Sequence, residues 1–352
     1  MKRSRAEKDT PLSVDLIALA ECVERFAQKT VVLLGDFVAD EFQYGEITRV
    51  SREAPVLILR HRETQMVPGG GANAANNLAA LGARVLPVAA VGDDAAGSAL
   101  IAYFRSQRVD VSGIVRVAGW ATPTKTRFLA GWAHTVGQQV LRVDREPASA
   151  LPESVHKKLS RSLSAKLRNS DALAISDYGF GVATPELVRH ATAKNKNSVP
   201  VTLDARYQLH AYAKSGVTSA TPNEAELETL HHVSIGQNVT ALADSGRSTL
   251  ETMKLDSLLV TRGRHGMALF ESDGHFAAVA VHGSDQAVDV TGAGDTVLAA
   301  YTLALASGAT PLEAAHIANI AGALVVMKRG TATVSRAELL AAISSAASAG
   351  VV

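Results

Sequence analysis

Short apolar runs recur along this chain, each closing on a glycine or a carboxylate and each followed by a stretch at helical spacing. Val31-Val32-Leu33-Leu34 ends at Gly35-Asp36, Ala172-Leu173-Ala174-Ile175 at Ser176-Asp177, and Pro200-Val201-Thr202-Leu203 at Asp204. Residues 85–91 and 257–261 read the same way. A strand covered on both faces shows no polar alternation, so these runs are what buried parallel strands look like. Their alternation with helical stretches, 72–81 and 95–107 among them, predicts an α/β protein: a three-layer α/β/α domain around a mostly parallel central sheet. Ligands in such sheets gather beyond the carboxyl ends of the strands, where these acids and glycines fall.

Two stretches break the rhythm. Residues 37–67 and 111–145 are polar, β-prone and rich in Thr, Val and aromatics, and they are expected to form a small β-sheet lid. In the first of them Val56-Leu57-Ile58-Leu59 is the expected strand. The domain is expected to span residues 31–345, with residues 1–30 a helical N-terminal extension and an Ala-rich helix from Ser335 onward. An uncovered lid sheet needs burial, so pairing of two copies through it is expected.

Composition narrows the function classes. A formal net charge of +1 gives no electrostatic case for nucleic acid or an anionic membrane as partner. The lone cysteine, Cys22, cannot form an internal disulfide and suits a reducing, cytoplasmic setting. No apolar run follows the basic MKRSRAEKDT start, so no signal peptide is expected. The apolar stretches 297–306 and 312–327 are interrupted by Gly308, Pro311, Glu313 and His316 and read as buried helices rather than membrane spans. His134, His231 and His232 are scattered without zinc-ligand spacing, and Trp120 and Trp132 read as packing residues of the lid.

The chemistry is concentrated in Asp289-Val290-Thr291-Gly292-Ala293-Gly294-Asp295-Thr296. A β-prone stretch precedes it and a strongly apolar helix follows. The segment therefore opens a buried helix, whose first amides lack partners and whose dipole favours an anion. Gly292, Ala293 and Gly294 allow close approach of a phosphate to the backbone. Asp295 at the edge of that cradle has little reason to bind phosphate, but it can take the proton of a hydroxyl that attacks it. The competing reading is a glycine turn capped by Asp295. No Lys follows the glycines, so this is not a Walker A loop, and it is not the dinucleotide fingerprint.

Taken with other segments, this one resembles the C-terminal signature of the ribokinase-like, phosphofructokinase-B type carbohydrate kinases, and matches run from about residue 31 to about 334. Gly69-Gly70-Gly71-Ala72-Asn73-Ala74-Ala75-Asn76 is similar to the family's N-terminal glycine signature. Gly35-Asp36 is similar to its first-strand sugar motif, Asn223-Glu224-Ala225-Glu226 to its Asn-x-x-Glu motif, and Thr261-Arg262-Gly263 with Gly266 to its nucleotide-binding strand end. The resemblance implies a kinase using ATP and Mg²⁺, with a monovalent cation as a further candidate. It implies Asp295 as base, with Gly292, Ala293 and Gly294 as anion hole. Asp36, Gly70, Gly71 and Asn73 would bind sugar. Asn223, Thr261, Gly263, Gly266 and Thr291 would meet nucleotide, and Asn223 and Glu226 would surround the metal. Read alone, Asn223 and Glu226 are equally a favourable helix start, and Asp36 a loop cap.

Within the family, Thr48-Arg49-Val50-Ser51-Arg52-Glu53-Ala54-Pro55-Val56 resembles the heptose 7-phosphate kinases. Lys125-Thr126-Arg127, residues 138–144 and Ser176-Asp177-Tyr178 do so too. That branch implies phosphorylation of an anomeric hydroxyl on a sugar already carrying a phosphate. Such an acceptor needs cations, and Arg49, Arg52, Lys125, Arg127 and Arg142 are candidates. Gly131-Trp132-Ala133-His134 departs from the branch, and Asp204-Ala205-Arg206 carries Arg where relatives often have Lys. Bifunctional relatives add a nucleotidyltransferase domain, which another protein is expected to supply here. Two other functions stay open: a kinase of ribose, fructose, a sugar phosphate or a nucleoside, and a silent sugar- or nucleotide-binding regulator.

Overall fold

The computed structural model describes residues 14–131, 138–195, 198–283 and 286–349. Trp132, His134 and the first part of the N-terminal extension lie outside the described residues.

The strands are β1 (Thr30–Gly35), β2 (Phe37–Val50), β3 (Leu57–Gly70), β4 (Arg84–Gly92), β5 (Ile114–Val117), β6 (Thr124–Gly131), β7 (Gln138–Arg145), β8 (Ala172–Asp177), β9 (Val201–Ala205), β10 (Ser219–Ala220), β11 (Ser257–Thr261), β12 (Met267–Glu271) and β13 (Phe276–Val279). Nine of them form one sheet in the order β13-β12-β11-β10-β9-β8-β1-β4-β5. It is parallel except at one edge, where β11, β12 and β13 pair antiparallel. Strand order reverses on either side of β1, so the carboxyl ends of β1 and β8 flank the crevice expected at such a switch point.

Period-two alternation splits the buried side chains between two cores. Val31 and Leu33 face one with the helices Gly71–Ala80, Ala293–Ala306 and Pro311–Val326. Val32 and Leu34 face the other with Glu153–Leu167, Pro185–Lys194 and Val239–Met253. Apolar residues on both sides of each strand are why the runs carry no polar alternation. The helix Leu16–Glu24 is capped by Asp15, whose Oδ1 accepts the Ile17 N–H at 2.9 Å. It seats Cys22 in the first core, where burial pushes the thiol up to about 11.

The second sheet, in the order β3-β2-β6-β7, carries the lid. Its first part is a hairpin of two 14-residue strands rather than one short strand at 56–59. Its second part begins later than the expected 111. Residues Ile114–Val117 pair parallel with β4 and so belong to the large sheet. β-propensity marks both segments alike, and only the turn between them, with Gly119 at φ +73°, sends the chain from one sheet to the other. Trp120 is buried there, its Nε1 donating to the Ser149 carbonyl at 3.1 Å. No helix among the described residues is long and apolar enough to cross a membrane.

Candidate active site

Gly292 caps the helix Ala293–Ala306 at φ +78°. That left-handed turn suits glycine, and a Cβ there would lie 2.5 Å from Asn73 Nδ2. Ala293, Gly294 and Asp295 follow in the first turn, where amides lack intrahelical acceptors. A Cβ on Gly294 would meet nothing nearer than Asp204 Oδ2 at 3.7 Å, so the space over these amides is open to an anion. Asp289 ties the turn down: its Oδ1 accepts the Thr291 N–H and its Oδ2 the Gly330 N–H, both at 2.9 Å. Thr291 thus serves the turn through its backbone.

Asp295 is 2% exposed. Asn73 Nδ2 donates to its Oδ2 at 2.8 Å and the Tyr178 hydroxyl to its Oδ1 at 3.2 Å. Burial pushes the carboxyl up to about 7, against those two hydrogen bonds; the charge of Asp40 adds to the rise and Lys125 opposes it. A carboxylate poised near neutrality suits proton transfer. Gly70 ends β3 and Gly71 starts the next helix, its N–H donating to the Asp36 carbonyl at 2.9 Å, which delivers Asn73 to this position.

Asp295 and Gly294 share a polar cleft of about 260 Å³ with Asp177, Tyr178, Asp204, Arg206, Thr221, Asn223, Glu226 and Thr261. These residues come from the ends of β8, β9, β10 and β11 and the segments after them. Arg206 is the only cation among the described residues lining it, and its guanidinium lies 5.9 Å from the Tyr178 ring centre. The Asp204 carboxyl is raised by burial and then by the charges of Glu226 and Asp295. Asn223 and Glu226 form a reciprocal cap. Asn223 Oδ1 accepts the Glu226 N–H and Glu226 Oε2 accepts the Asn223 N–H, each at 2.9 Å. The capping reading of this pair is therefore correct, and it also fixes Glu226 at the cleft wall. The Thr221 hydroxyl is buried with no partner among the described residues.

A second, apolar cleft of about 200 Å³ is lined by Thr261, Gly263, Gly266, Met267, Val290 and Val297 among others, and Gly294 borders both clefts. An apolar slot opening onto an anion cradle fits a nucleobase carrying phosphates.

The lid closes the other side. β6 alternation puts Lys125 and Arg127 on one face, and the register opposes them to Asp144 and Arg142 of β7 and to Asp40 and Phe42 of β2. Lys125 Nζ stands 5.3 Å from the Tyr178 ring centre. Arg142 is half exposed and gripped by Asp144 at 2.9 and 3.1 Å.

Asp36 requires correction as a sugar ligand. It is fully buried, and its carboxylate accepts the N–H groups of Tyr178, Phe180 and Val182 at 2.8, 3.0 and 2.9 Å. It shapes the loop that carries Tyr178. Asp40, four positions on, is close enough to Asp295 for its charge to act there, and is bound to Arg127 Nη1 at 2.7 Å and the Thr331 hydroxyl at 3.0 Å. Sequence reading missed Asp40 and assigned no role to Tyr178, Asp204 or Arg206. The available signal for Asp40 was an acidic pair, Asp40-Glu41, after the apolar Phe37-Val38-Ala39.

Comparison with known proteins adds the following. Residues 29–338 match the model of the pfkB family carbohydrate kinases. The bifunctional protein HldE of Trichlorobacter lovleyi is 36% identical, covering 91% of this chain and 64% of that protein. HldE of Hyphomonas neptunium is 38% identical over 94% of this chain and 67% of its own length. The chain therefore spans about two thirds of such relatives. Among solved structures, Escherichia coli phosphofructokinase-2 in complex with potassium superposes with a TM-score of 0.73 at 20% identity, covering 91% of this chain and 99% of that one. Arabidopsis thaliana ribokinase complexed with ribose and ATP gives 0.68 at 22%, covering 90% and 98%. These structures establish the ribokinase-like fold, and with the family match the chain belongs to the pfkB family of carbohydrate kinases.

Proposed function

We propose that this carbohydrate kinase moves the terminal phosphoryl group of ATP to the anomeric hydroxyl of heptose 7-phosphate, giving the 1,7-bisphosphate and ADP. Asp295 is the general base: the hydroxyl proton passes to its Oδ1 as the hydroxyl oxygen bonds to phosphorus and the bond to the ADP oxygen breaks. The observation that carries this reading is the placement of Asp295, with Oδ2 held by Asn73, at the first turn of a helix whose open amides border both clefts. Arg206 and those amides meet the transferring charge.

The acceptor assignment is supported by Lys125, Arg127 and Arg142 on one lid face, and by similarity to proteins named HldE. Asp40, close enough to Asp295 for its charge to act there, suits the sugar hydroxyls. The donor set at the cleft floor fits Mg²⁺: Glu226 and Asp204 are hard oxygen donors that repel each other, and the Thr221 hydroxyl lacks a partner. No group of three or more acidic, His or Cys ligands occurs among the described residues, which suits an ion that keeps waters and phosphate oxygens. Bound there, Mg²⁺ supplies charge neutralisation to the phosphates. Leu141 and Val143, 55% and 49% exposed on the outer lid face, support a homodimer formed through the lid. The lone buried cysteine fits a cytoplasmic setting.

The test is ADP release with heptose 7-phosphate, fructose, ribose and fructose phosphates, with potassium or sodium as the sole monovalent cation. The highest kcat/KM is expected with heptose 7-phosphate. A preference for ribose or fructose by tenfold or more would overturn the acceptor assignment while leaving the kinase intact.

A further inference from the structure

The Thr296 hydroxyl donates to Asn77 Oδ1 at 2.9 Å. Asn77 Nδ2 donates to both the Asn73 carbonyl at 3.0 Å and Asn73 Oδ1 at 3.1 Å. Asn73 Nδ2 donates to Asp295 Oδ2 at 2.8 Å. Thr296 follows Asp295 in the chain, so these bonds close a ring between the helices Gly71–Ala80 and Ala293–Ala306. Asn73, Asn77 and Thr296 are all fully buried.

An amide side chain can face its surroundings in two ways, and this ring admits one. The Asn73 carbonyl only accepts, so Asn77 must turn its NH₂ toward it. The Asn77 oxygen then faces Thr296, which has a single proton and a more distant alternative in the Gly292 carbonyl at 3.4 Å. Asn73 must turn its oxygen to the Asn77 NH₂, and its own NH₂ faces Asp295 and the Gly292 carbonyl at 3.4 Å. Asp295 Oδ2 therefore always meets the Asn73 amide, while Oδ1 meets only the Tyr178 hydroxyl, at 3.2 Å, and keeps a lone pair for an incoming proton.

We infer that Asn77 and Thr296 are positioning residues of the phosphoryl transfer: they fix the polarity of Asn73 and thereby aim Asp295 at the acceptor hydroxyl. The inference rests on the reading of Asp295 as base. Neither residue lines either cleft, so neither is expected to touch substrate. With Thr296→Val, Asn77 Oδ1 loses its donor at nearly constant volume, which leaves a buried acceptor unpaired and loosens the ring that holds Asn73.

The experiment is a cycle of T296V, T296S, D295N and the T296V/D295N double variant. Each is assayed for kcat and KM with the best acceptor, and for binding of a non-hydrolysable ATP analogue by calorimetry. T296V is expected to lower kcat about tenfold, the scale of one buried hydrogen bond, with KM and analogue affinity within twofold. T296S keeps the donor and is expected to restore kcat. On the D295N background, T296V should cause no further loss, because its effect passes through that carboxylate. Should T296V not fold, as absent analogue binding would reveal, Asn77→Ala serves in its place with the same expectation. An equal loss on both backgrounds, or T296S as impaired as T296V, overturns the inference alone. Full turnover in D295N overturns the base reading beneath it.

Discussion

Arg127 Nη1 lies 2.7 Å from Asp40 Oδ1, with the two side chains only 13% and 7% exposed. Neither charge is well solvated, so each depends on the other, and removing one strands its partner. Arg127→Met is expected to raise KM for a phosphorylated acceptor at least about tenfold, leaving a buried, unpaired Asp40 charge near Asp295. Arg142→Met, at a half-exposed position already held by Asp144, is expected to have the smaller effect. Steady-state kinetics with phosphorylated and neutral acceptors checks both. Equal effects on both acceptors in both variants would remove the case for phosphate recognition by this face.

Asp295→Asn should leave nucleotide affinity near wild type and cut kcat by at least about a hundredfold, the loss expected of a missing general base. Calorimetry with the ATP analogue and a turnover assay separate the two effects.

Acidity offers another handle on the same carboxyl. Burial raises the Asp295 carboxyl to about 7 in the ligand-free enzyme. A base works only when ionised, so kcat/KM is expected to be full above that value and to fall about tenfold per unit as pH drops below it. Among its neighbours the Asp204 carboxyl, itself raised by burial, could add to the acid limb. A kcat/KM profile flat from pH 5 to 8 would rule out titration of Asp295 in the free enzyme.

Gly294→Ala should divide stability from activity. The added methyl would meet Asp204 Oδ2 at 3.7 Å, an ordinary contact, and alanine favours a helix more than glycine by up to about 1 kcal/mol. The urea midpoint is therefore expected to hold or rise, while the methyl occupies the space over the amides and turnover falls. Gly292→Ala would instead meet Asn73 Nδ2 at 2.5 Å with a strained φ of +78°, and should lose both.

Asp36→Asn is predicted to be a stability variant. Its oxygens face three N–H donors, and an amide NH₂ turned toward any of them leaves buried donors opposed, at a cost of about 1–3 kcal/mol. Denaturant unfolding should show that loss, with KM values for both substrates near wild type in the folded fraction.

What the sequence disclosed and what it withheld divide along physical lines. Periodicity and helix-start chemistry are local, so the parallel sheet, the helix opening at Gly292 and the cap at Asn223 were legible. Asn73 reaches Asp295 across 222 residues and Arg127 reaches Asp40 across 87, separations no local pattern encodes. Asp36 and Asp40 both follow apolar strand residues. Only the three amides arriving from the loop after β8 show that Asp36 is used up by the backbone. In the same way, β-propensity could not say that Ile114–Val117 joins the large sheet while Thr124–Gly131 joins the lid.

The lid hairpin is rooted in the floor of the site: β2 starts one residue after Asp36, and β3 ends at Gly70, directly before the helix bearing Asn73 and Asn77. A stiff ribbon anchored this way behaves as a lever with its fulcrum at the reacting groups. Whatever holds its outer end is tied to Asp40 directly and to the Asn73 helix through Gly70, so the lid-mediated homodimer proposed above would couple assembly to turnover.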